Sequence, residues 1–284
     1  MSLTRINKVT IIGTLENINL IRDNSPKAGN YIRGDMVVRV NLPKPMSIPL
    51  QFFASALDAN GKPRKLYGQL EQLRLNSRVS LTATIGDNKF WDPSRGQLVK
   101  TKRLNLLFIN IPKLEDADTA TFTYSGFIAE TIKEKVDKEG NLEAYTIKVG
   151  QSDYKGTRAE IITFNIDPRN NAAVSYITRE YTKERTVELF GDLDYDVKTE
   201  TVEEAVDFGK PIVKTYQRNI SNLVITSGKF PDEGTYERTD VANLIAGDEA
   251  DDARIQLEAK NKEQTGKEVS EKKPSANAVN SSLL

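Results

Sequence analysis

The chain has 284 residues, 38% of them hydrophobic and 28% charged, with 40 Lys and Arg balanced by 40 Asp and Glu. That length suggests two domains, each large enough to bury a core, and the composition is that of a soluble globular protein. There is no Cys and no His, which excludes disulfides, thiol nucleophiles, Ser–His and Cys–His pairs and zinc sites built from those ligands, and leaves carboxylate-bound Mg²⁺ as the metal option.

No apolar run approaches the roughly 18 residues of a membrane span, and the opening "MSLTRINK" has no signal-peptide apolar core, so a cytoplasmic location is expected. The neutral total hides an asymmetry. Residues 1–113 carry 18 Lys and Arg against 7 Asp and Glu, residues 114–230 carry 15 against 21, and residues 231–284 carry 7 against 12. One basic unit followed by an acidic unit and an acidic tail suggests a polyanionic partner for the first unit only.

In chain order, "NKVTIIGTLENINLIRD" (7–23) is an alternating apolar strand with Gly13 inside it. A flexible connection, "DNSPKAGNYIRGD" (23–35), is expected next, then two strands joined by a loop in "RGDMVVRVNLPKPMSIPLQFFAS" (33–55). A helix-capable piece comes at 61–75, then a strand ending at Gly86 at 77–87, a hairpin loop at 86–103, and a closing strand at 97–111. The same order returns: "TFTYSGFIAETIKEK" (121–135) with Gly126, two strands at 142–166, a helix at 168–181, a strand at 184–194 ending at Gly191, and a closing strand at 212–226. Strand, strand, strand, short helix, strand, strand is the order of the OB-fold, a small five-stranded Greek-key barrel. The expected class is therefore all-β with short helices: two tandem OB barrels (1–113 and 114–230) plus a polar tail (231–284). Gly13 and Gly126 would mark where each first strand bends around its barrel; the alternative is a glycine tolerated in a sandwich strand. In the tail, 239–264 is expected to form one or two helices and 265–284 to be disordered.

"NKVTIIGTL" resembles the opening strand of the bacterial single-stranded DNA-binding proteins, with their Asn-Lys/Arg-Val-apolar-apolar-apolar-Gly-x-Leu pattern. The stretch 67–111, a short helix, a turn, a strand and a hairpin into the last strand, is similar to that family's closing half. The resemblance implies a non-enzymatic protein that holds unwound single-stranded DNA in replication or recombination, without cofactor or metal. A tandem arrangement is unlike the usual one-domain bacterial member and implies a phage- or mobile-element-encoded relative. That family's acidic terminal peptide has no counterpart here: "DEADD" (248–252) lies far from "ANAVNSSLL". Acidic tails on such proteins can compete with nucleic acid for a basic groove, so removing the chain after residue 230 is expected to tighten binding at low salt.

Sequence-independent binding of a single strand needs cations for phosphates and flat rings on which bases stack. In an OB barrel these lie on strands two and three and the flanking loops. Lys27, Tyr31 and Arg33 come in the connection after the first strand, Arg39 lies opposite Met36, Val38 and Val40, and Lys44 lies in the next loop. Of the adjacent Phe52 and Phe53, Phe53 is the surface candidate, because Ile48, Leu50, Phe52 and Ala54 form the continuous apolar set; alternatively both are structural. Lys62, Arg64 and Lys65 precede the helix, either as phosphate ligands or as a solvated charge run. In the hairpin, Trp91 lies beside Phe90, Lys89 and Arg95; it either stacks on bases or folds back over the barrel end. Lys100 and Lys102 share a face of the closing strand, with Arg103 opposite.

The equivalent hairpin of the second copy carries Asp192, Asp194, Asp196, Glu200, Glu203, Glu204 and Asp207 against Lys198 and Lys210, so it repels phosphate. Tyr154, Lys155 and Arg158 could still touch a strand. The second unit is otherwise expected to orient the first or contact replication or recombination proteins, as the tail could. Alternatives are a structural or adaptor protein, as in a virion or replisome, and a single-stranded RNA binder.

Overall fold

The structure, a computed structural model, describes residues 5–25, 29–204, 212–231 and 236–271. Through them run β1 (Asn7–Ser25), β2 (Gly29–Val40), β3 (Met46–Ser55), α1 (Lys65–Gln72), β4 (Arg78–Asp92), β5 (Gln97–Asn110), β6 (Thr119–Val136), β7 (Leu142–Ser152), β8 (Ala159–Ile166), α2 (Asn171–Glu180), β9 (Thr186–Glu204), β10 (Ile212–Lys229) and α3 (Arg238–Glu271).

The strands form because apolar side chains recur at every second position. In β3, Met46, Ile48, Leu50, Phe52 and Ala54 face inward, while Ser47, Pro49, Gln51 and Phe53 face out. Pairing closes two circuits of the same order. β1 pairs with β2, β2 with β3, β3 with β5, β5 with β4, and β4 returns to β1; β6, β7, β8, β10 and β9 repeat that ring. The third and fifth strands of each ring are parallel, Gln51 opposite Asn105 and Val224 opposite Asn165. α1 and α2 fill the same slot, between third and fourth strands, and bury Leu70 and Ile177. Asn170 caps α2 by accepting the amide of Ala173 at 3.1 Å.

Gly13 and Gly126 sit at equivalent places. Next to Gly13, which is opposite Val79, β1 passes from β4 to β2: Thr14 is opposite both Arg78 of β4 and Arg39 of β2. A Cβ there would lie 2.4 Å from the Arg39 carbonyl oxygen and 2.9 Å from Val38 Cγ1. At Gly126 it would lie 2.3 Å from the Gly150 oxygen and 2.8 Å from Val149 Cγ1. Both glycines let the first strand lie against the second so tightly that the ring closes.

The rings are joined edge to edge. β1 and β6 pair from Asn7 opposite Tyr124 to Ile12 opposite Thr119. Buried Gln151 donates to the Ser125 and Ile6 carbonyls at 2.7 and 3.0 Å and accepts Arg5 Nε at 2.8 Å. One apolar cluster then runs through both rings, from Val9 and Ile11 to Phe164 and Leu223. α3 packs Val241 and Leu244 on Phe127 and Ala159 of the second ring.

Three stretches expected to be loops are largely strand. Residues 23–25 and 29–35 extend β1 and β2 as a ribbon, with Asp23 opposite Tyr31 and Ser25 opposite Gly29; Lys27 lies outside the described residues. The hairpin 86–103 is β4 against β5 as far as Asp92 opposite Gln97, so Phe90 and Trp91 are strand residues opposite Val99 and Leu98. β9 and β10 stay paired from Glu188 opposite Lys229 to Glu204 opposite Ile212; Asp207 and Lys210 lie outside the described residues. In each case cross-strand pairing overrides the polar composition on which the loop expectation rested. Nor do Gly86 and Gly191 end their strands; they pair with Arg103 and Ile225 inside the ladders. Helix α3 continues through 265–271, where disorder was expected; residues 272–284 lie outside the described set. Among the described residues no helix is long and apolar enough to cross a membrane.

Candidate functional site

The outer face of β2 and β3 brings Tyr31, Arg33 and Phe53 together at one end and carries Arg39, opposite Ser47, toward the other. Strand alternation puts Arg33, Arg39 and Phe53 outside, over a layer in which Met36, Val38, Ile48 and Leu50 are buried. Arg33 is directly opposite Phe53, and Tyr31 is opposite Ser55 one step along. Phe53 is 56% exposed, whereas Phe52 is buried. The Tyr31 and Phe53 rings lie 5.2 Å apart, tilted by 32°. Tyr31 is held from behind: its hydroxyl donates to Asp23 at 2.8 Å, which pushes the phenol pKa up and the Asp23 carboxyl down. Two positioned rings beside a guanidinium can stack flat groups and meet an anion.

The 56–64 segment leaves β3 at the same end, tied by the Ala56 amide to the Asn30 carbonyl at 2.7 Å and by the Arg64 amide to the Ala56 carbonyl at 2.9 Å. Asp58 accepts the Asn60 and Lys62 amides at 2.8 and 2.9 Å and shapes the turn. Lys62, Arg64 and Lys65 are all exposed there.

Toward the other end the face meets the second ring. Lys44 donates to Asp194 at 3.0 Å and Asp196 at 3.1 Å on β9, hydrogen bonds that raise its pKa. It therefore bridges the rings instead of standing free. Arg39 stays exposed and bonds Asn41 at 3.3 Å. Between Lys44 and the rings of Tyr31 and Phe53 lies a cleft of 680 Å³. Asp35, Gln51, Lys102 and Arg103 come from the first ring, and Lys135, Thr163, Asn165 and Asn222 from the second.

The β4–β5 arm meets α3. Lys89, with 5% of its side chain exposed, is clamped by Asp248 and by Asp252 at 2.6 Å. Lys100 reaches Asp252 at 2.5 Å. Arg158 donates two bonds to Asp87, at 2.8 and 3.3 Å, which raise its pKa. Burial disfavours the charge on Asp252, but Lys100 and Lys89 outweigh it and hold the carboxyl below its usual range. On the arm itself, Phe90 is exposed, Trp91 is half-buried, and exposed Arg95 pairs with Asp92 at 3.5 Å. In the second ring Tyr154 is exposed, with Lys155 5.5 Å from its ring centre.

A family model described as YorF matches residues 5–265. The chain belongs to the YorF family. No curated protein matches it. Among solved structures, the YorF chain is similar to the wild-type single-stranded DNA binding protein from Thermus aquaticus, at 10% identity and a TM-score of 0.51, over 83% of this chain and 97% of that one. A deletion and substitution variant of that Thermus aquaticus protein matches at 10% identity and a TM-score of 0.50, over 83% of this chain and 100% of the other. The likeness is one of fold and assigns the YorF chain to the mostly-β OB class.

Of the cations singled out in sequence, Arg95 pairs with Asp92 on the arm, and the others divide in three. Arg33, Arg39, Lys62, Arg64 and Lys65 are exposed on or beside the β2–β3 face; Lys44, Lys89 and Lys100 are engaged by carboxylates of the second half; Lys102 lies in the cleft. Lys135, Asn165 and Asn222 join the YorF cleft from stretches without any local signal, because nothing nearby in the chain marks a residue for contact with a strand 30 to 120 positions away.

The α3 clamp has a measurable consequence. Replacing Asp248 and Asp252 together by Ala leaves Lys89 buried without its closest carboxylates, a loss expected to cost about 3–5 kcal/mol. Urea unfolding followed by circular dichroism measures it. The Asp252 part of this stabilisation is present above the ordinary carboxylate range and is lost as pH falls through its lowered value.

Proposed function

We propose that this YorF-family chain is a non-enzymatic single-stranded DNA-binding protein that holds unwound strands open in replication or recombination. The observation that carries the reading is the Tyr31–Phe53 ring pair, Phe53 exposed and Tyr31 half-buried, beside Arg33 on the β2–β3 face of an OB-class ring. Rings and cations on that face are what a sequence-tolerant single-strand binder needs. The basic charge of residues 1–113 points the same way, as does the fold likeness to a Thermus aquaticus protein described as single-stranded DNA binding. In this reading 1–113 is an OB domain that carries the platform, 114–230 is a second OB domain, and 231–284 is a tail folded in part onto the second. Because α3 is packed through Val241 and Leu244, cutting the chain after residue 230 removes structure as well as charge; substitution in α3 is the cleaner probe of its acids.

The test is a titration of labelled oligo-dT at several salt concentrations, beside duplex DNA and oligo-U. With about four to six Lys and Arg meeting phosphates, at about −0.7 per contact, the log–log slope should be about −3 to −4. Duplex should bind more weakly, since its bases are not free to stack. Preference for oligo-U would make RNA the ligand. Absence of binding to either single strand at low salt would overturn the reading.

A further inference from the structure

The cleft between the rings holds two cations, Lys102 and Arg103, that no ion pair neutralises among the described residues. Lys102 projects from β5 across the seam, and its ammonium donates to the Thr163 carbonyl of β8 at 3.2 Å. Among the described residues no carboxylate lies within ion-pair distance of Lys102 or of its neighbour Arg103. The partner of the Lys102 ammonium is thus neutral, a carbonyl, whereas another cation, Lys135 of β6, sits in the same cleft. Burial and the Lys135 charge together pull the Lys102 amine down to about 8. Holding an ammonium there opposes folding, because desolvation and like charge both disfavour it. An anion between these side chains would reverse both effects.

The cleft continues the platform. On the outer face of β2–β3 the pair after Arg33–Phe53 is Asp35–Gln51, about 7 Å along the strands, and both residues line the cleft. A strand stacked on Phe53 therefore needs little more than one further step to enter it. At 680 Å³ the space falls within the roughly 300–1,000 Å³ of small-ligand sites and admits a nucleotide unit. The second ring supplies neutral hydrogen-bonding groups on the far wall, where Asn165 donates to Asn222 at 2.9 Å.

We propose that Lys102, with Arg103 and Lys135, forms a backbone-phosphate site at the seam between the two rings. The inference rests on the single-strand reading above and makes the second ring part of the binding surface, although its overall charge is acidic. Other charged groups share the surroundings. Lys135 is paired with Glu143 at 2.9 Å and Lys148 of β7 with Glu130 at 2.5 Å. Asp35 lines the wall from β2 and Tyr195 from β9, where burial pushes the phenol up. Toward α3 stand Asp87, Lys89, Lys100 and Asp248, already engaged in the ion pairs described.

The pH effect has a definite sign. Above pH 8 the amine of the free protein is mostly neutral, and a bound phosphate favours its charged form. Affinity for oligo-dT should therefore fall between pH 8 and 9.5, by at most tenfold per pH unit for one proton. Lys102→Arg keeps the charge at every pH in that range and should retain the salt slope while removing the pH dependence. Lys102→Met should remove the pH dependence, reduce the slope by about 0.7 and raise Tm. The two variants leave every other titrating group in place. Binding of oligo-dT by the wild type with no change between pH 7.5 and 9.5, or the same pH profile in Lys102→Arg, overturns the phosphate site and leaves the platform intact. No binding at any pH would instead remove the single-strand reading on which it rests.

Discussion

Replacing Phe53 by Ala weakens oligo-dT binding by about 5- to 150-fold, the range set by about 1–3 kcal/mol for one base–aromatic stack, and leaves thermal stability close to that of the wild type. Affinity responds because Phe53 is 56% exposed at the centre of the ring pair and faces Arg33. Stability does not, because the core beneath is made by Phe52, Leu50 and Ile48. Tyr31→Ala should have a comparable effect. The rings are 5.2 Å apart, so the double variant is expected to fall short of the sum of the single losses. Tyr31→Phe keeps the ring and loses only the bond to Asp23, so its effect should be several-fold smaller. Fluorescence anisotropy beside a melting curve reads both quantities. Wild-type affinity in Phe53→Ala would show that this face is not the platform.

Gly13→Val should destabilise the protein by about 3 kcal/mol or more, at the upper end of overpacking effects. The added Cβ would stand 2.4 Å from a backbone oxygen, that of Arg39, and a carbonyl in a paired strand cannot turn away without losing its ladder. Gly126→Val meets the same obstacle at Gly150, at 2.3 Å, and should cost a similar amount. Equal losses from two sites 113 positions apart would express the repeat directly. Urea unfolding measures them, and a wild-type midpoint in either variant would contradict the tight contact.

Much of the fold is legible in the chain. Alternation in 46–54 separates Phe52 from Phe53 correctly, and Gly13 and Gly126 mark equivalent bends because a closed small barrel leaves no volume for a side chain there. The order of elements, with a short helix between the third and fourth strands, recurs in the two rings. The ends of the ribbons were not legible. Residues 23–25 with 29–35, 86–92 with 97–103, and 191–204 are polar and rich in turn-forming types, yet cross-strand pairing holds them extended. A ladder depends on a partner strand that local composition does not reveal.

Charge divides in the same way. That the first 113 residues are basic and the remaining 171 acidic is a matter of counting, and the chain alone establishes it. Which cations remain open depends on how the two rings meet. Lys44 meets Asp194 and Asp196, and Lys89 meets Asp248 and Asp252, partners 150 to 163 positions away. Lys102 meets a carbonyl and another lysine. Such pairings depend on distances of a few ångströms, across the seam between two rings or between the β4–β5 arm and α3, and composition contains no distances.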